Sequence, residues 1–198
     1  MSTMFSLAST IADGELVAGA LAGHETSFEE LVRRYQRPIA AYVYRMTGDY
    51  DTALDLSQEV FIKVHNSLAR YKSEFKFSTW IYKIAHNAAI DHLRRNAARE
   101  HALTTSFDGE RREVSFESRR LTPEQESEQR ERRTEIEAVV HTLPAAYREL
   151  IVLRHSHDLS YDEIAEVTGL PLGTVKNRLF RAREAMREDL LARGITTP

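Results

Sequence analysis

The chain has 198 residues, 42% of them hydrophobic and 29% charged, a balance typical of a soluble globular protein. It contains no cysteine, which excludes disulfides, thiolate metal sites and thiol chemistry. The N-terminus lacks the basic region of a secretory signal and no apolar run approaches the ~20 residues of a membrane span, so we expect a cytoplasmic protein that inserts no segment into a membrane.

The formal net charge of −3 conceals an uneven distribution along the chain. Residues 1–30 carry five acidic and no basic side chains, residues 60–100 carry eight basic and three acidic ones, and residues 171–198 carry six basic and three acidic ones. Phosphate neutralisation depends on local charge, so two separate basic regions suggest two contacts with a polyanion. Each patch taken alone is equally well read as a solvated helix face.

Two amphipathic helices are predicted first. Ser27 and Glu30 form a capping-box pair ahead of an apolar pattern that we expect to bend near Pro38 and end at Gly48. A second helix is predicted from about residue 51 to 70, with its apolar stripe facing the core. Its outer face, where a protein partner could dock, carries Asp55, Gln58, Glu59 and Lys63.

A third helix is predicted to start after Ser78 or Thr79 and to run to about Arg95. One side is apolar, and the opposite side carries Lys83, Asn87, Ile90 and Arg94. The segment before it interleaves Tyr71, Phe75, Phe77 and Trp80 with Lys72 and Lys76. Rings stack on unpaired bases while lysines follow phosphates, so this combination favours single-strand binding, although Trp80 alone is better read as a core residue.

The apolar pattern is lost between residues 99 and 133, which are rich in mixed charge, Ser and Thr and contain Gly109 and Pro123. We therefore predict an all-α protein of two small helical domains joined by a flexible linker. The predicted domains are residues 1–97 and 125–198, with residues 98–124 as the linker.

The C-terminal part contains a helix-turn-helix pattern. Ser160 and Glu163 form a second capping box for a short helix ending at Gly169, and Thr174 is the predicted cap of the helix that follows. That next helix buries an apolar stripe and turns amides and guanidiniums outward, the groups that match base edges and phosphates in a major groove. The predicted duplex-reading residues are Thr174, Lys176, Asn177, Arg178 and Arg181.

A catalytic interpretation finds little support in the sequence. The run "RHSHD" places His155, His157 and Asp158 together, but a structural metal site wants about four convergent ligands, which these neighbours do not evidently supply. The chain has no Gly-rich phosphate loop, no G-x-S-x-G and no His-Glu-x-x-His. We therefore expect no enzymatic activity, no metal and no cofactor.

Five blocks of the chain, over about residues 13–187, resemble a bacterial RNA polymerase sigma factor of the extracytoplasmic-function (ECF) group. The blocks are "FEELVRRYQRPIAAYVYRMTGD", "DLSQEVFIKVHNSLARY", "FSTWIYKIAHNAAIDHLRR", the linker, and "LPAAYRELIVLRHSHDLSYDEIAEVTGLPLGTVKNRLFRARE". All stand in the family's order and spacing.

The resemblance implies that the N-terminal domain is sigma region 2 and the C-terminal domain sigma region 4. Region 2 would bind core RNA polymerase through Asp55, Gln58, Glu59 and Lys63 and would capture the melted minus-10 element of promoter DNA, with Asn87 lining a pocket for a flipped base. Region 4 would read the minus-35 element as duplex. The resemblance also implies an anti-sigma factor. The minus-10 residues would be Lys72, Trp80, Lys83, Asn87, Ile90 and Arg94.

A second hypothesis remains open at this point. The chain could be a stand-alone regulator, a helix-turn-helix module with an N-terminal ligand-sensing or dimerising domain. The "DLSQEVFIKV" helix, followed by the segment of aromatics and lysines, favours the sigma factor, because a repressor has no use for either.

Overall fold

The structure is a computed structural model that describes residues 11–102 and 134–195. Every regular element in those two ranges is helical, which confirms the predicted all-α class. The helices are α1 (Asp13–Leu21), α2 (Glu25–Thr47), α3 (Tyr50–Ser67), a 3-10 turn (Leu68–Arg70), α4 (Phe77–Ala102), α5 (helical over residues 134–142), α6 (Ala145–His155), α7 (Tyr161–Thr168) and α8 (Leu172–Ala192).

Helices α1 to α4 form the N-terminal unit, residues 11–102, around a core supplied by one stripe of each helix. The predicted stripe of α3 is buried along its whole length, because its apolar residues recur at three- and four-residue steps. Tyr42 and Met46 of α2 and Ile81 and Ala85 of α4 are fully buried beside it. The core stripe of α3 and its 3-10 extension consists of Ala53, Leu56, Val60, Val64 and Leu68.

The start of α2 differs from the predicted capping box. The helix begins at Glu25, and its N-cap residue His24 makes no side-chain capping bond, so Ser27 lies inside the first turn. The Glu30 carboxylate instead accepts hydrogen bonds from Arg33 and Arg34. Arg34 also reaches α1, where its Nη1 lies 2.8 Å from Asp13 Oδ1. Arg34 therefore joins α1 to α2, while Glu30 pairs within its own helix and does not cap it.

Three other helix limits can be compared with the sequence-based expectation. α2 ends where expected, because Gly48 takes up the left-handed conformation, at φ 77°, that glycine adopts without steric cost. α4 begins at Phe77, slightly earlier than predicted, and continues to Ala102, past the expected end near Arg95. Pro38 lies within α2, and the predicted bend there stays a prediction.

Helices α5 to α8 form the C-terminal unit, residues 134–195. Its capping box is confirmed: Ser160 accepts from the Glu163 backbone N–H, and the Glu163 carboxylate accepts from the Ser160 N–H. Gly169 ends α7 at φ 71°, as predicted. The predicted cap at Thr174 is wrong, because α8 begins at Leu172 behind Pro171, whose fixed φ suits a helix start.

The two units pack directly against each other, with α4 along α7 and α2 against α6. Arg148 Nη1 donates to the Met46 carbonyl oxygen at 2.8 Å, and Lys76 Nζ lies 2.8 Å from Glu163 Oε1. α4 therefore packs against the N-terminal core on one side and the helix-turn-helix on another. Among the helices of both described ranges, none combines the length and apolar character needed to cross a bilayer.

Candidate nucleic-acid interface

The polar side of α4 lies on the surface of the N-terminal unit. Lys83, Asn87 and Arg94 are exposed, and Ile90 between them is half-buried. They project away from the core because α4 directs Ile81 and the residues in step with it inward. Four of the residues predicted to bind an opened strand therefore share one accessible face.

The segment of aromatics and lysines before α4 divides into a buried and an exposed part. Phe77 is only 2% exposed and belongs to the core, whereas Phe75 is 44% exposed beside the exposed Lys72. Trp80 is half-buried, with its ring centroid 5.4 Å from that of Tyr71 and 5.7 Å from that of Phe77. A half-exposed indole fixed by two neighbouring rings provides a ledge for stacking a base. Phe75, which belongs to the predicted aromatic and lysine segment but not to the residues assigned to the minus-10 element, adds a second ring.

The outer face of α8 carries the predicted duplex-reading residues. Lys176, Asn177 and Arg181 are exposed, and Thr174 and Arg178 are half-buried. A depression of about 390 Å³, which we call the α8 groove, opens between this face and α6. It is lined by Tyr147, Gly173, Thr174, Asn177, Arg178 and Arg181.

Phe180 is a residue of this face that the sequence reasoning missed. Its side chain is 65% exposed, the largest exposed fraction among the large apolar residues of the described ranges. It lies three residues after Asn177 and one before Arg181, so its ring flanks the same polar face. An apolar ring in that position can contact the methyl group of thymine.

A second missed feature is a cationic cluster at the start of α7. The Arg154 guanidinium lies 5.5 Å from the centre of the Tyr161 ring, and Arg183 Nη2 donates to Tyr161 Oη at 3.3 Å. Partial burial of the ring, and then the charges of Arg183 and Arg154, lower the pKa of His155. The cluster extends the positive surface of α8 towards α7.

Glu149 of α6 is buried where the two units meet. Burial raises its pKa to about 7, and the charges of Arg178 and Arg94 only partly oppose the shift. His86 Nδ1 of α4 lies 3.7 Å from Glu149 Oε2, a separation that would suit an ion pair. Burial also lowers the pKa of His86 to about 4, so we assign a neutral pair. Glu149 thus interacts with one predicted DNA-binding arginine from each unit.

The "RHSHD" histidines have different surroundings. His157 Nδ1 lies 2.6 Å from Tyr82 Oη, and burial lowers the pKa of His157 to about 3. Its ring also contacts that of Tyr42, at 5.8 Å between centroids. His157 therefore contributes to the contact between the two units, while His155 and Asp158 are exposed.

The outer face of α3 is exposed at every predicted docking position, and Glu59 and Lys63 approach to 3.9 Å. Leu54 and Ile62 accompany them, with 39% and 61% exposed side chains, at four-residue steps from Gln58. Polar residues around two exposed apolar ones form the surface pattern of a protein-binding site. The predicted positions are Asp55, Gln58, Glu59 and Lys63.

Comparisons with known proteins cover both units. The family model for Sigma-70 region 2 matches residues 31–99, and the model for Sigma-70, region 4 matches residues 133–186. The RNA polymerase sigma-H factor of Pseudomonas aeruginosa is 38% identical over 184 residues, which are 90% of this chain and 93% of that protein. The ECF RNA polymerase sigma factor SigW of Bacillus subtilis is 34% identical over 170 residues, covering 85% and 91%.

Solved structures share the fold. The sigma factor RpoE of Bartonella quintana, in complex with the anti-sigma factor NepR, gives a TM-score of 0.67 at 20% identity over 81% of this chain and 94% of that one. CnrH, in complex with the cytosolic domain of CnrY, gives 0.67 at 23% identity over 91% and 97%.

Proposed function

The chain belongs to the ECF group of the sigma-70 family, and from that premise we propose that it joins core RNA polymerase and directs it to promoters with two separate DNA-reading surfaces. The observation that carries this proposal is the pair of exposed basic faces on α4 and α8, one in each unit. A single-site regulator has no use for both. The proposed domains are residues 1–97 as region 2, 98–124 as linker and 125–198 as region 4.

Region 4 reads the minus-35 element as duplex. α8 enters the major groove with Lys176, Asn177 and Arg181 facing base edges and phosphates, and Thr174 and Arg178 at the margin of the same face. Phe180 contacts a thymine methyl beside them. The exposure of these side chains supports their assignment to DNA contacts, since each is at least partly accessible without rearrangement of α8.

Region 2 captures the melted minus-10 element. Trp80 and Phe75 offer rings for stacking, Lys72, Lys83 and Arg94 neutralise phosphates, and Ile90 packs beneath them. Asn87 presents amide groups to the edge of a flipped base. Unstacking that base costs a few kcal/mol, so a preformed pocket beside the Trp80 ledge lowers the barrier to capture.

Region 2 also binds the polymerase. Leu54 and Ile62 supply apolar contact area, and Asp55, Gln58, Glu59 and Lys63 surround them with polar groups that fix orientation. This surface lies on α3, and the DNA-reading face lies on α4. Both can therefore be occupied at the same time.

The packed arrangement of the two units is a resting form of the protein, in which it does not bind both promoter elements. The names minus-35 and minus-10 place the two promoter elements about 25 base pairs apart. At the rise of B-DNA this separation is about 85 Å. α4, the longest helix in the described ranges, is only about 40 Å long. The units must therefore separate on the promoter, and an anti-sigma factor that stabilises the packed form would hold the protein inactive.

The protein supplies recognition and no chemistry of its own, because the reaction belongs to the polymerase that it joins. It acts in the cytoplasm, where polymerase and promoter DNA are found, and it needs no cofactor.

Run-off transcription tests the proposal. Core polymerase with this protein should produce promoter-specific RNA from a genomic DNA library, and core polymerase alone should not. Replacing Asp55 and Glu59 together with alanine should abolish the product and weaken binding to core. Failure of the unmodified protein to yield any promoter-specific RNA would sink the assignment of function.

A further inference from the structure

Neither backbone conformation nor packing against the described residues requires a glycine at position 173. The structure describes seven glycines, and four of them take a positive φ that favours glycine. A Cβ on Gly19 would lie 2.4 Å from Ser27 Oγ, so close packing accounts for that residue. Gly14 and Gly173 have neither a positive φ nor a close neighbour. A Cβ added to either would meet nothing within 4 Å.

The two unexplained glycines differ in their surroundings. Each is the second residue of its helix, Gly14 in α1 and Gly173 in α8, and each is exposed. Glycine loses more backbone freedom in a helix than alanine does, so neither glycine favours its helix. Only Gly173 lines the α8 groove, beside Asn177 and Arg181. Its missing side chain leaves that end of the groove open.

Tyr147, from a different helix, also lines the α8 groove. Tyr147 is half-buried against the core, which fixes its ring. Its hydroxyl has no hydrogen-bond partner in the described part of the chain. Arg178 and Arg181 provide positive charge in the same groove. The groove thus combines a neutral donor, two guanidiniums and a stretch of bare backbone.

We propose that the α8 groove receives the sugar–phosphate backbone of one strand of the minus-35 element, with Gly173 at the closest approach and the Tyr147 hydroxyl donating to a phosphate oxygen. This inference rests on the proposed function. Phosphate contacts fix the register of a recognition helix, and glycine permits the close approach of a ligand to the protein backbone. Gly173 and Tyr147 are accordingly positioning residues, and the bases are read by the neighbouring α8 side chains.

The test compares G173A with G14A in the reconstituted holoenzyme. Both variants should raise the melting temperature of the free protein by about 1–3 °C, because alanine is the better helix former and has room at both sites. G173A should nevertheless weaken holoenzyme binding about tenfold, since the new methyl group displaces the DNA backbone. G14A should leave that binding unchanged. The probe is a promoter fragment recovered from genomic DNA with the unmodified holoenzyme.

The Tyr147 contact is tested with modified DNA. Y147F should weaken binding about tenfold, as expected for loss of a hydrogen bond to a charged acceptor. Methylphosphonate replacement at successive upstream phosphates should identify one position at which the unmodified protein loses affinity and Y147F loses no more. Core polymerase binding, measured in parallel, should be equal for every variant.

Two outcomes would overturn the inference. One is a G173A holoenzyme that binds as tightly as the unmodified one. The other is an equal defect of G173A or Y147F on a template that lacks the minus-35 element. If the unmodified protein makes no promoter-specific RNA, the proposed function itself fails, and that result is distinguishable from both.

Discussion

Tyr82 Oη of α4 and His157 Nδ1 of the loop between α6 and α7 lie 2.6 Å apart and join the two units of the protein. Burial raises the pKa of Tyr82 and lowers that of His157 to about 3, so both are neutral at neutral pH. The two neutral groups share one hydrogen bond, and the tautomer of His157 decides which of them donates. Their rings also touch, at 4.6 Å between centroids. The resting form depends in part on this pair.

Replacing Tyr82 with phenylalanine should loosen the contact between the units. The change removes this bond and leaves the buried His157 Nδ1 without its partner, at a cost of about 1–2 kcal/mol. Urea denaturation should show the loss of stability, and small-angle scattering a larger radius of gyration. Tyr71→Phe is the matched control, because its hydroxyl bonds to the Phe75 carbonyl within the N-terminal unit. Equal radii for both variants and the unmodified protein would show that the bond does not hold the units together.

Glu149→Gln should stabilise the protein at alkaline pH. The folded pKa of Glu149, about 7, lies above the value of 4.5 that is usual for a glutamate side chain. Its contribution is therefore present below pH 4.5 and is lost as the pH rises to about 7, because the buried carboxyl must then ionise. Glutamine stays neutral, so the variant should be more stable by about 3 kcal/mol at pH 8 and should match the unmodified protein at pH 4.5.

The measurement for Glu149 is the difference in unfolding free energy between variant and unmodified protein across pH 4.5 to 8. His86 also makes stability depend on pH, because its stabilising contribution is lost as the pH falls from about 6.5 towards 4. Both proteins contain His86, so most of its contribution cancels in the difference. A difference independent of pH would mean that Glu149 is ionised throughout and that the neutral pair is wrong.

Arg181→Ala should weaken promoter recognition by roughly 1–3 kcal/mol, the value of a bidentate contact to a base. Holoenzyme binding to matched and base-substituted minus-35 elements measures both affinity and specificity. Arg187→Ala is the control, because Arg187 is also exposed on α8 but pairs with Glu184 outside the groove. If the two alanine variants behave alike, Arg181 acts through general charge alone.

Asn87→Ala should impair promoter opening while binding to core polymerase survives. The amide is exposed on α4 and supports no buried contact, so its removal should not disturb the fold. Permanganate reactivity of thymines in the minus-10 element reports opening, and a pull-down with core polymerase reports docking. Parallel loss of both would make Asn87 a structural residue.

Local patterns predicted those elements that depend on nearby residues. The Ser160 and Glu163 capping box forms because both partners lie within one turn and nothing competes for them except Lys76, which bonds the same carboxylate. The same pattern at Ser27 and Glu30 does not cap α2. There, Arg33 and Arg34 bind the Glu30 carboxylate. Ion pairs one turn along the same helix therefore take the place of the capping bond.

The contact between the units could not be read from the sequence. Tyr82 and His157 are 75 positions apart, and no periodicity links them. Burial of Glu149 and His86 depends in the same way on how α4 meets α6. The exposed faces of α4 and α8 were predictable because helical periodicity alone decides which side chains turn away from a core. Phe180 was missed because the predicted duplex-reading face was chosen by its polar and basic side chains alone.

Three sides of α4 each make a different contact, and this limits the sequence changes that the helix can accept. Ile81 and Ala85 face the core, Tyr82 and His86 face the other unit, and Asn87 is presented to solvent. Inserting or deleting one residue within α4 would rotate every later side chain of the helix by about 100° around the helix axis. That rotation would turn a charged side chain towards the core and an apolar one towards solvent. New promoter preferences can therefore arise in α4 by exchange of single side chains, but not by changes in its length.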